Sequence, residues 1–321
     1  MSSETDWFWD RIGERAIETI KALRNNEVPP ICRFAVHITG KCNMRCKYCK
    51  DPKNNVVMSR QLFDDICNKA GSIGTVHITG GEPMCVKWLP DAILQHPNVR
   101  FALNSNALVI PSVEVLRRLW RYKTSLDDYD EDRWNELVGG KFFLRVVNNI
   151  KIVTKEVKYT SVSFTATHNN ASRFSKFIDF CNKEFPDLYS ISVSFFKGIG
   201  ENVLSQDDID NLFKDATKLN KVSQQVFFET HSTKGNYFPE NLQVPCYLAM
   251  SERLIDEYGR EFYCSHLFRD HVIPPGNPGK DPNCVTGCNA RFHKFNQLVH
   301  KDLQKQITTD NIIHIKESLK K

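Results

Sequence analysis

The sequence predicts an α/β protein, an open or closed β/α barrel followed by a smaller module dominated by loops. Three observations carry this prediction. Six short runs rich in β-branched and aromatic residues recur along the first two thirds of the chain, the stretches between them have helical periodicity, and the composition changes after about residue 222. Strand, helix and strand in repeated succession call for parallel pairing with right-handed crossovers, the pattern of a barrel or an open sheet.

The elements follow in order. The opening "MSSETDWFWDRIGERAIETIKAL" has early acidic residues and amphipathic spacing, so residues 1–30 read as a helical segment. A signal peptide would start basic and continue into an apolar core. Strands are expected at 33–39 ("RFAVHIT"), 75–79 ("TVHIT"), 100–104 ("RFALN"), 122–127 ("YKTSLD"), 160–167 ("TSVSFTAT") and 190–196 ("SISVSFF"). Between them, "SRQLFDDICNKA" and "SRFSKFIDFCNKEF" place apolar side chains every third or fourth residue, as one face of a helix requires. The barrel is expected to span 31–222. Residues 223–321 are rich in Pro, Gly, Asn and Cys, as in "VIPPGNPGKDPNC", and read as a module stabilised by something other than a large core.

Composition narrows the function classes. At 321 residues with 41% apolar residues the chain can bury a sizeable core. Its net charge of +5 is spread without a Lys/Arg block, too mild to imply nucleic acid or an anionic membrane as partner. No apolar run approaches the roughly 18 residues of a membrane span, and a cytoplasmic location is expected. Eleven cysteines suit metal ligation better than disulfides in a reducing compartment, because seven of them fall in two groups.

The first group is "KCNMRCKYCKD", with Cys42, Cys46 and Cys49 directly after the first strand. A structural zinc site closes its shell with four ligands, so a tight trio leaves a position open for something else. The next strand ends in "TGGEP", Thr79 to Pro83, at the same C-terminal mouth where β/α barrels put their chemistry. Two adjacent glycines allow close backbone approach, and Glu82 adds a negative charge suited to an ammonium group.

Cys-x3-Cys-x2-Cys with Tyr48 before the last cysteine, followed one strand later by Gly-Gly-Glu-Pro, resembles the radical S-adenosylmethionine (SAM) superfamily. The resemblance implies a partial (β/α)6 barrel in which Cys42, Cys46 and Cys49 ligate three irons of a 4Fe–4S cluster, while SAM chelates the fourth. It further implies that Tyr48 packs near the adenine and that Gly80, Gly81 and Glu82 meet the methionyl amino group. "LNSNAL" is similar to the family's Thr-Asn-Gly turn, with Ser105, Asn106 and Ala107 in its places, which makes Asn106 a polar contact to SAM. Alanine in the glycine's place departs from that pattern. "TSLDDYD" is similar to the family's Ser-Leu-Asp segment, which offers Ser125 to the SAM ribose or carboxylate and Asp127 to the cavity. Read without the resemblance, both are ordinary strand-end or helix-cap residues.

The second group is Cys246, Cys264, Cys284 and Cys288. Gly259 stands five residues before Cys264 in "CYLAMSERLIDEYGREFYC", and this opening resembles the SPASM and Twitch auxiliary-cluster domains of radical SAM maturases. Four cysteines match the shorter Twitch form with a second 4Fe–4S cluster. The alternative is a four-cysteine zinc site, which prefers two close pairs where this chain has one, "CVTGC".

The remaining cysteines divide simply. Cys67 and Cys181 sit at apolar helical spacing and read as buried packing residues, and Cys32 carries no signal. Cys85, two residues after Pro83, is a candidate hydrogen-atom donor as in family epimerases, with packing at a helix start as the alternative. "KGIGEN" offers Lys197 and Glu201 as substrate contacts or acid/base groups, against a solvated turn. His37 and His77 have no metal-ligand spacing and read as strand residues.

The function expected from these parts is reductive cleavage of SAM to a 5'-deoxyadenosyl radical that takes a hydrogen atom from substrate. Electrons would come from a flavodoxin or ferredoxin and leave through the auxiliary cluster. Relatives with such C-terminal modules make a peptide- or protein-modifying oxidation the first expectation, although some thirty residues before the first strand are too few for a winged-helix leader-recognition domain. Dehydrogenation of a small alcohol or aminocyclitol, radical epimerisation, and a metal-binding scaffold without catalysis are the alternatives.

Overall fold

The computed structural model describes residues 16–49, 53–71, 74–196, 200–217, 225–229, 247–262, 296 and 299–304. The chain divides into two compact units, one of Ala35–His231 with Asp256–Arg260 and one of Met1–Phe34, Ser232–Ile255 and Glu261–Lys321. Among the described residues no helix is long and apolar enough to cross a membrane.

Strands and helices alternate as predicted. Their order is β1 (Arg33–His37), α1 (Arg60–Ala70), β2 (Thr75–Thr79), a 3₁₀ turn (Pro83–Cys85), α2 (Leu89–Gln95), β3 (Arg100–Ser105), α3 (Val113–Arg118) and β4 (Leu119–Ser125). Then follow α4 (Glu131–Val138), α5 (Phe143–Glu156), β5 (Tyr159–Ala166), α6 (His168–Ala171), α7 (Phe174–Glu184), β6 (Ser190–Phe195), α8 (Gln206–Thr217) and β7 (Gln225–Glu229). The strands lie side by side in the order β7-β6-β5-β4-β3-β2-β1, and every pair from β2 to β7 is parallel. This is the wall of a partial β/α barrel, with one strand more than the six runs predicted. "QVFFE" of β7 lies just past residue 222, where the surrounding polar, lysine-rich sequence hides a strand of five residues.

The helices form where caps and periodicity agree. In α1, Phe63, Ile66, Cys67 and Ala70 make the buried stripe, Ser59 caps the N-terminus by accepting from Leu62 N, and Gly71 ends the helix at φ 52°. In α7 the buried stripe is Phe174, Phe177, Ile178 and Cys181. Cys67 and Cys181 are therefore packing residues, and burial pushes the Cys67 thiol up to about 12. The fourth strand starts at Leu119 instead of 122, because α3 passes into β4 without a loop and its apolar spacing runs into the strand.

Side chains alternate across the sheet, which gives it two unlike faces. Val76, Ile78, Phe101, Leu103, Val162, Phe164, Ile191 and Val193 are buried on one face. There Phe164 meets Phe177 and Phe174 of α7 at ring distances of 4.7 and 5.1 Å, and Phe101 stacks on Phe63 of α1 at 6.3 Å. Each fully buried phenylalanine contributes about 1.5–3 kcal/mol. The opposite face carries His77, Asn104, Lys123, Ser161, Ser163 and Ser192. On it His77 Nε2 pairs with Asn104 Oδ1 at 2.9 Å, and Lys123 Nζ reaches over β5 to donate to Ser192 Oγ at 3.3 Å.

In the other unit, α9 (Leu248–Ser251) leads into β8 (Glu252–Ile255), which pairs antiparallel with β9 (Glu261–Phe262), Leu254 opposite Phe262. The turn between these strands, Asp256–Arg260 of the first unit, is closed by Gly259 at φ 84°.

Candidate functional site

The loop that carries the trio is closed at its base. Thr39 and Val57 form an antiparallel bridge, Met58 N donates to Ile38 O at 2.8 Å, and Thr39 Oγ1 donates to Val56 O at 2.7 Å. The chain thus leaves the C-terminal end of β1 after Thr39 and is back beside it at Val56. The "TGGEP" segment packs directly beneath: Gly81 N donates to Thr39 O and Glu82 N to Lys41 O, each at 2.7 Å. Side chains have no room there. A Cβ at Gly81 would lie 2.3 Å from Lys41 O, and one at Gly80, whose φ is 138°, would lie 2.6 Å from Thr39 O. The glycines let two backbones touch.

Glu82 is fully buried and binds across the strand ends. Its Oε1 accepts from Ser105 Oγ (2.8 Å) and Met84 N (2.9 Å), and its Oε2 accepts from Asn106 N (2.7 Å). Burial outweighs these three donors and pushes its carboxyl up to about 7. Oε2 keeps acceptor capacity for one further donor, such as an ammonium group. The Ser105-Asn106-Ala107 turn so anchored holds its glycine-like shape with alanine in place: Ala107 takes φ 58°. Asn106 then points at the loop of the three thiols, where Nδ2 donates to Asn43 Oδ1 at 2.7 Å and lies 4.0 Å from Cys42 Sγ.

Cys42, Cys46 and Cys49 are free thiols, two of them half-buried and Cys49 exposed. Burial first, then the Asp127 carboxylate and the other two thiols, push Cys46 up to about 12. Cations relieve that mutual repulsion, so the donor chemistry suits iron, whose binding displaces the thiol protons. Among the described residues no three His, Cys, Asp or Glu groups converge closely enough for a single metal ion. A four-iron cluster does not ask for that, because each thiolate binds a different iron.

Two further anchors hold the loop. Arg45 N and Lys47 N donate to Val138 O (3.1 Å) and Leu137 O (2.9 Å) at the end of α4, and the Tyr48 hydroxyl donates to Asp127 Oδ2. Asp127, at the exit of β4, is buried, accepts also from Thr165 N, and is pushed up to about 6 by burial. Ser125 is exposed at the end of the same strand. Cys85 is half-buried in the 3₁₀ turn, and burial, then Glu82 and Cys42, raise its thiol. Glu201 is exposed in a turn next to α6, where Asn202 O accepts from His168 N at 3.2 Å. Lys197, Cys246, Cys264, Cys284 and Cys288 lie outside the described residues.

Several partners were invisible in the sequence. His37 on β1 pairs with Glu257 at 2.9 Å, and Asn54 of the loop donates to the same carboxylate at 2.8 Å. Burial works against ionisation of Glu257, but the hydrogen bonds from Asn54 and the backbone, with His37, hold it below the usual range. Beside Asp127, Asp128 is gripped by Arg173 Nη2 at 2.9 Å, whose guanidinium lies 4.4 Å over the Tyr129 ring.

No family model matches the chain. Curated relatives include a probable GTP 3',8-cyclase of Archaeoglobus fulgidus, 32% identical over 130 residues, covering 38% of this chain and 44% of that protein. The GTP 3',8-cyclases of Clostridium botulinum strain Hall and Campylobacter lari are 27% and 29% identical over 182 and 220 residues, covering 54% and 65% of those proteins. The chain spans about half the length of the curated relatives it matches. Among solved structures, Streptococcus suis SuiB bound to S-adenosylmethionine superposes with TM-score 0.62 at 16% identity, over 78% of this chain and 64% of that one. The anSMEcpe structure with bound AdoMet and the Kp18Cys peptide superposes with TM-score 0.58 at 16% identity, over 84% of each chain. These likenesses are of fold.

Proposed function

We propose that the chain is a radical SAM enzyme that cleaves SAM reductively at a 4Fe–4S cluster held by Cys42, Cys46 and Cys49 and removes a hydrogen atom from its substrate, a reading supported by its likeness to GTP 3',8-cyclases and by the fold it shares with SuiB. The observation that carries this reading is the closed loop of three free thiols at the end of β1, braced from the ends of β2, β3 and β4. When bound there, the cluster supplies the low-potential electron that splits SAM into methionine and a 5'-deoxyadenosyl radical.

The chain's own residues do the placing. Gly80 and Gly81 bring the β2 loop against the loop of thiols, and Glu82 Oε2 receives the SAM ammonium beside the Asn106 amide. Asn106 sits between that pocket and Cys42, and Ser125 stands at the exposed end of β4 for the ribose or carboxylate. Tyr48 keeps its ring for the adenine. Electrons come from a flavodoxin- or ferredoxin-type donor. Cys246, Cys264, Cys284 and Cys288 would hold a second cluster of the Twitch kind, which would supply an acceptor for the electron left on the substrate radical while a base takes the departing proton, making the net reaction an oxidation.

On the resemblance of its C-terminal cysteines, the substrate is a peptide or protein. A second reading is favoured by the polar face of the sheet, which His77, Asn104, Lys123 and Ser192 share, and by likeness to curated cyclases of a nucleotide. Such a face suits a small hydrophilic molecule better than an apolar side chain. Turnover tests the two. Anaerobic reactions with SAM and a reductant are run against genome-neighbouring precursor peptides and against nucleotide or aminocyclitol candidates, and transfer of substrate deuterium into 5'-deoxyadenosine identifies the class. Label in 5'-deoxyadenosine with a product one mass unit lighter than the labelled substrate and of inverted configuration would replace oxidation by epimerisation and make Cys85 the hydrogen donor.

A further inference from the structure

Three cysteines have three separate braces. Asn106 donates to Asn43 beside Cys42, the end of α4 receives Arg45 N and Lys47 N on either side of Cys46, and Tyr48 beside Cys49 gives its hydroxyl to Asp127. Among the described residues, the hydrogen bonds that hold residues 48 and 49 are the Tyr48 hydroxyl and the turn from Cys49 N to Cys46 O at 3.2 Å. The turn only ties the loop to itself. Of these partners Asp127 is the one tied to the sheet, two residues past the end of β4 and bonded to β5 through Thr165 N.

Asp127 is built for this task. It is 1% exposed, Oδ2 takes the Tyr48 hydroxyl and Oδ1 takes Thr165 N, while its own carbonyl accepts from Asn170 Nδ2 at 3.0 Å. Leu126 N donates to Ser163 O at 3.0 Å, so the backbone leading to Asp127 is still carried by β5. Both carboxylate oxygens are engaged by protein donors, one from the loop and one from the strand. A carboxylate so engaged orients its donors.

We infer that Asp127 is a positioning residue that fixes Cys49 for cluster binding through the Tyr48 hydroxyl. Tyr48 then acts through its oxygen as well as its ring, and Asp127 needs no contact with substrate. The inference rests on the cluster reading of the trio, but its first test does not use the cluster.

Amide hydrogen exchange is followed residue by residue in the cluster-free protein under anaerobic reduction. Losing a hydrogen bond to a buried carboxylate frees the segment by about tenfold or more. Tyr48→Phe and Asp127→Ala should each speed exchange at Cys49 N about tenfold while leaving Arg45 N and Lys47 N unchanged. The double variant should go no further than either single one, and Asp127→Asn, whose amide oxygen still accepts from Thr165 N while its NH2 donates to the Tyr48 oxygen, should fall close to wild type. After reconstitution, Tyr48→Phe and Asp127→Ala should show the same altered electron paramagnetic resonance spectrum of the reduced cluster. The inference is overturned if Tyr48→Phe leaves Cys49 N exchange unchanged. It is equally overturned if Asp127→Ala also speeds exchange in β4 and β5 beyond Thr165 N, whose own acceptor it removes, since Asp127 would then only hold the strand ends together. Failure of the cluster reading shows separately, as a wild-type protein that takes up no iron at the trio.

Discussion

Replacing Glu82 by glutamine should change the stability of the protein by an amount whose sign depends on pH. Burial raises the Glu82 carboxyl from 4.5 to about 7, a gap of about 2.5 pH units worth about 3.4 kcal/mol at full extent. A carboxyl raised on folding contributes stability that is complete below pH 4.5 and is lost as pH rises through 7. Between pH 5 and pH 8 the loss amounts to about 2.5 kcal/mol. Glutamine does not titrate, so that slope disappears in Glu82→Gln. Its amide nitrogen cannot accept, however. With Oε1 kept on Ser105 and Met84, Asn106 N loses its acceptor at a cost of about 1–3 kcal/mol. The variant should therefore be less stable than wild type at pH 5 and equal or more stable at pH 8. Urea unfolding of the cluster-free protein, anaerobic and reduced, reads both numbers. A difference between variant and wild type that stays constant from pH 5 to pH 8 would refute the claim that Glu82 is buried at the expense of its charge.

Three other outcomes are expected. Ala107→Gly should shift stability by less than about 1 kcal/mol, because relief of the left-handed φ of about 1–2 kcal/mol is offset by chain entropy and one buried methyl of about 0.8 kcal/mol; Ala107→Val, which adds branching at a fully buried left-handed position, should lose at least about 2 kcal/mol in the same urea assay. Gly81→Ala pushes a methyl to 2.3 Å from Lys41 O and should weaken SAM binding at least about tenfold by equilibrium dialysis, since the loop must move away from the thiols. Iron analysis should find about eight irons in the reconstituted protein and about four after Cys42, Cys46 and Cys49 are all replaced by alanine, provided the C-terminal cysteines hold their own cluster.

The barrel was legible because its signals are local. Alternating strands and amphipathic helices wrote β1 to β6 into the sequence, and "TVHIT" matches β2 residue for residue. β7 was hidden because five residues in a polar context make too short a period to detect. The site was legible in part for the same reason. The three cysteines and the glycine pair are adjacent in sequence and need particular residue types, whereas Ser105, Asn43 and Asn54 become partners only when strand ends meet. Glu82 shows the limit best: its charge is evident from four letters, but its burial beneath Asn106 is a product of tertiary packing. Ala107 shows the reverse. The turn keeps its glycine conformation because Glu82, through Ser105 and Asn106, over-determines the backbone on both sides.

Whether this chain generates a radical from SAM is the question on which the account stands, and one measurement addresses it. Protein reconstituted with iron and sulfide without oxygen is given SAM and dithionite, and 5'-deoxyadenosine and methionine are quantified by mass spectrometry. The account predicts both products from wild type, in equal amounts, and neither from the protein in which Cys42, Cys46 and Cys49 are replaced by alanine. Equal yields from the two proteins, or none from a wild type shown to carry its iron, would contradict it.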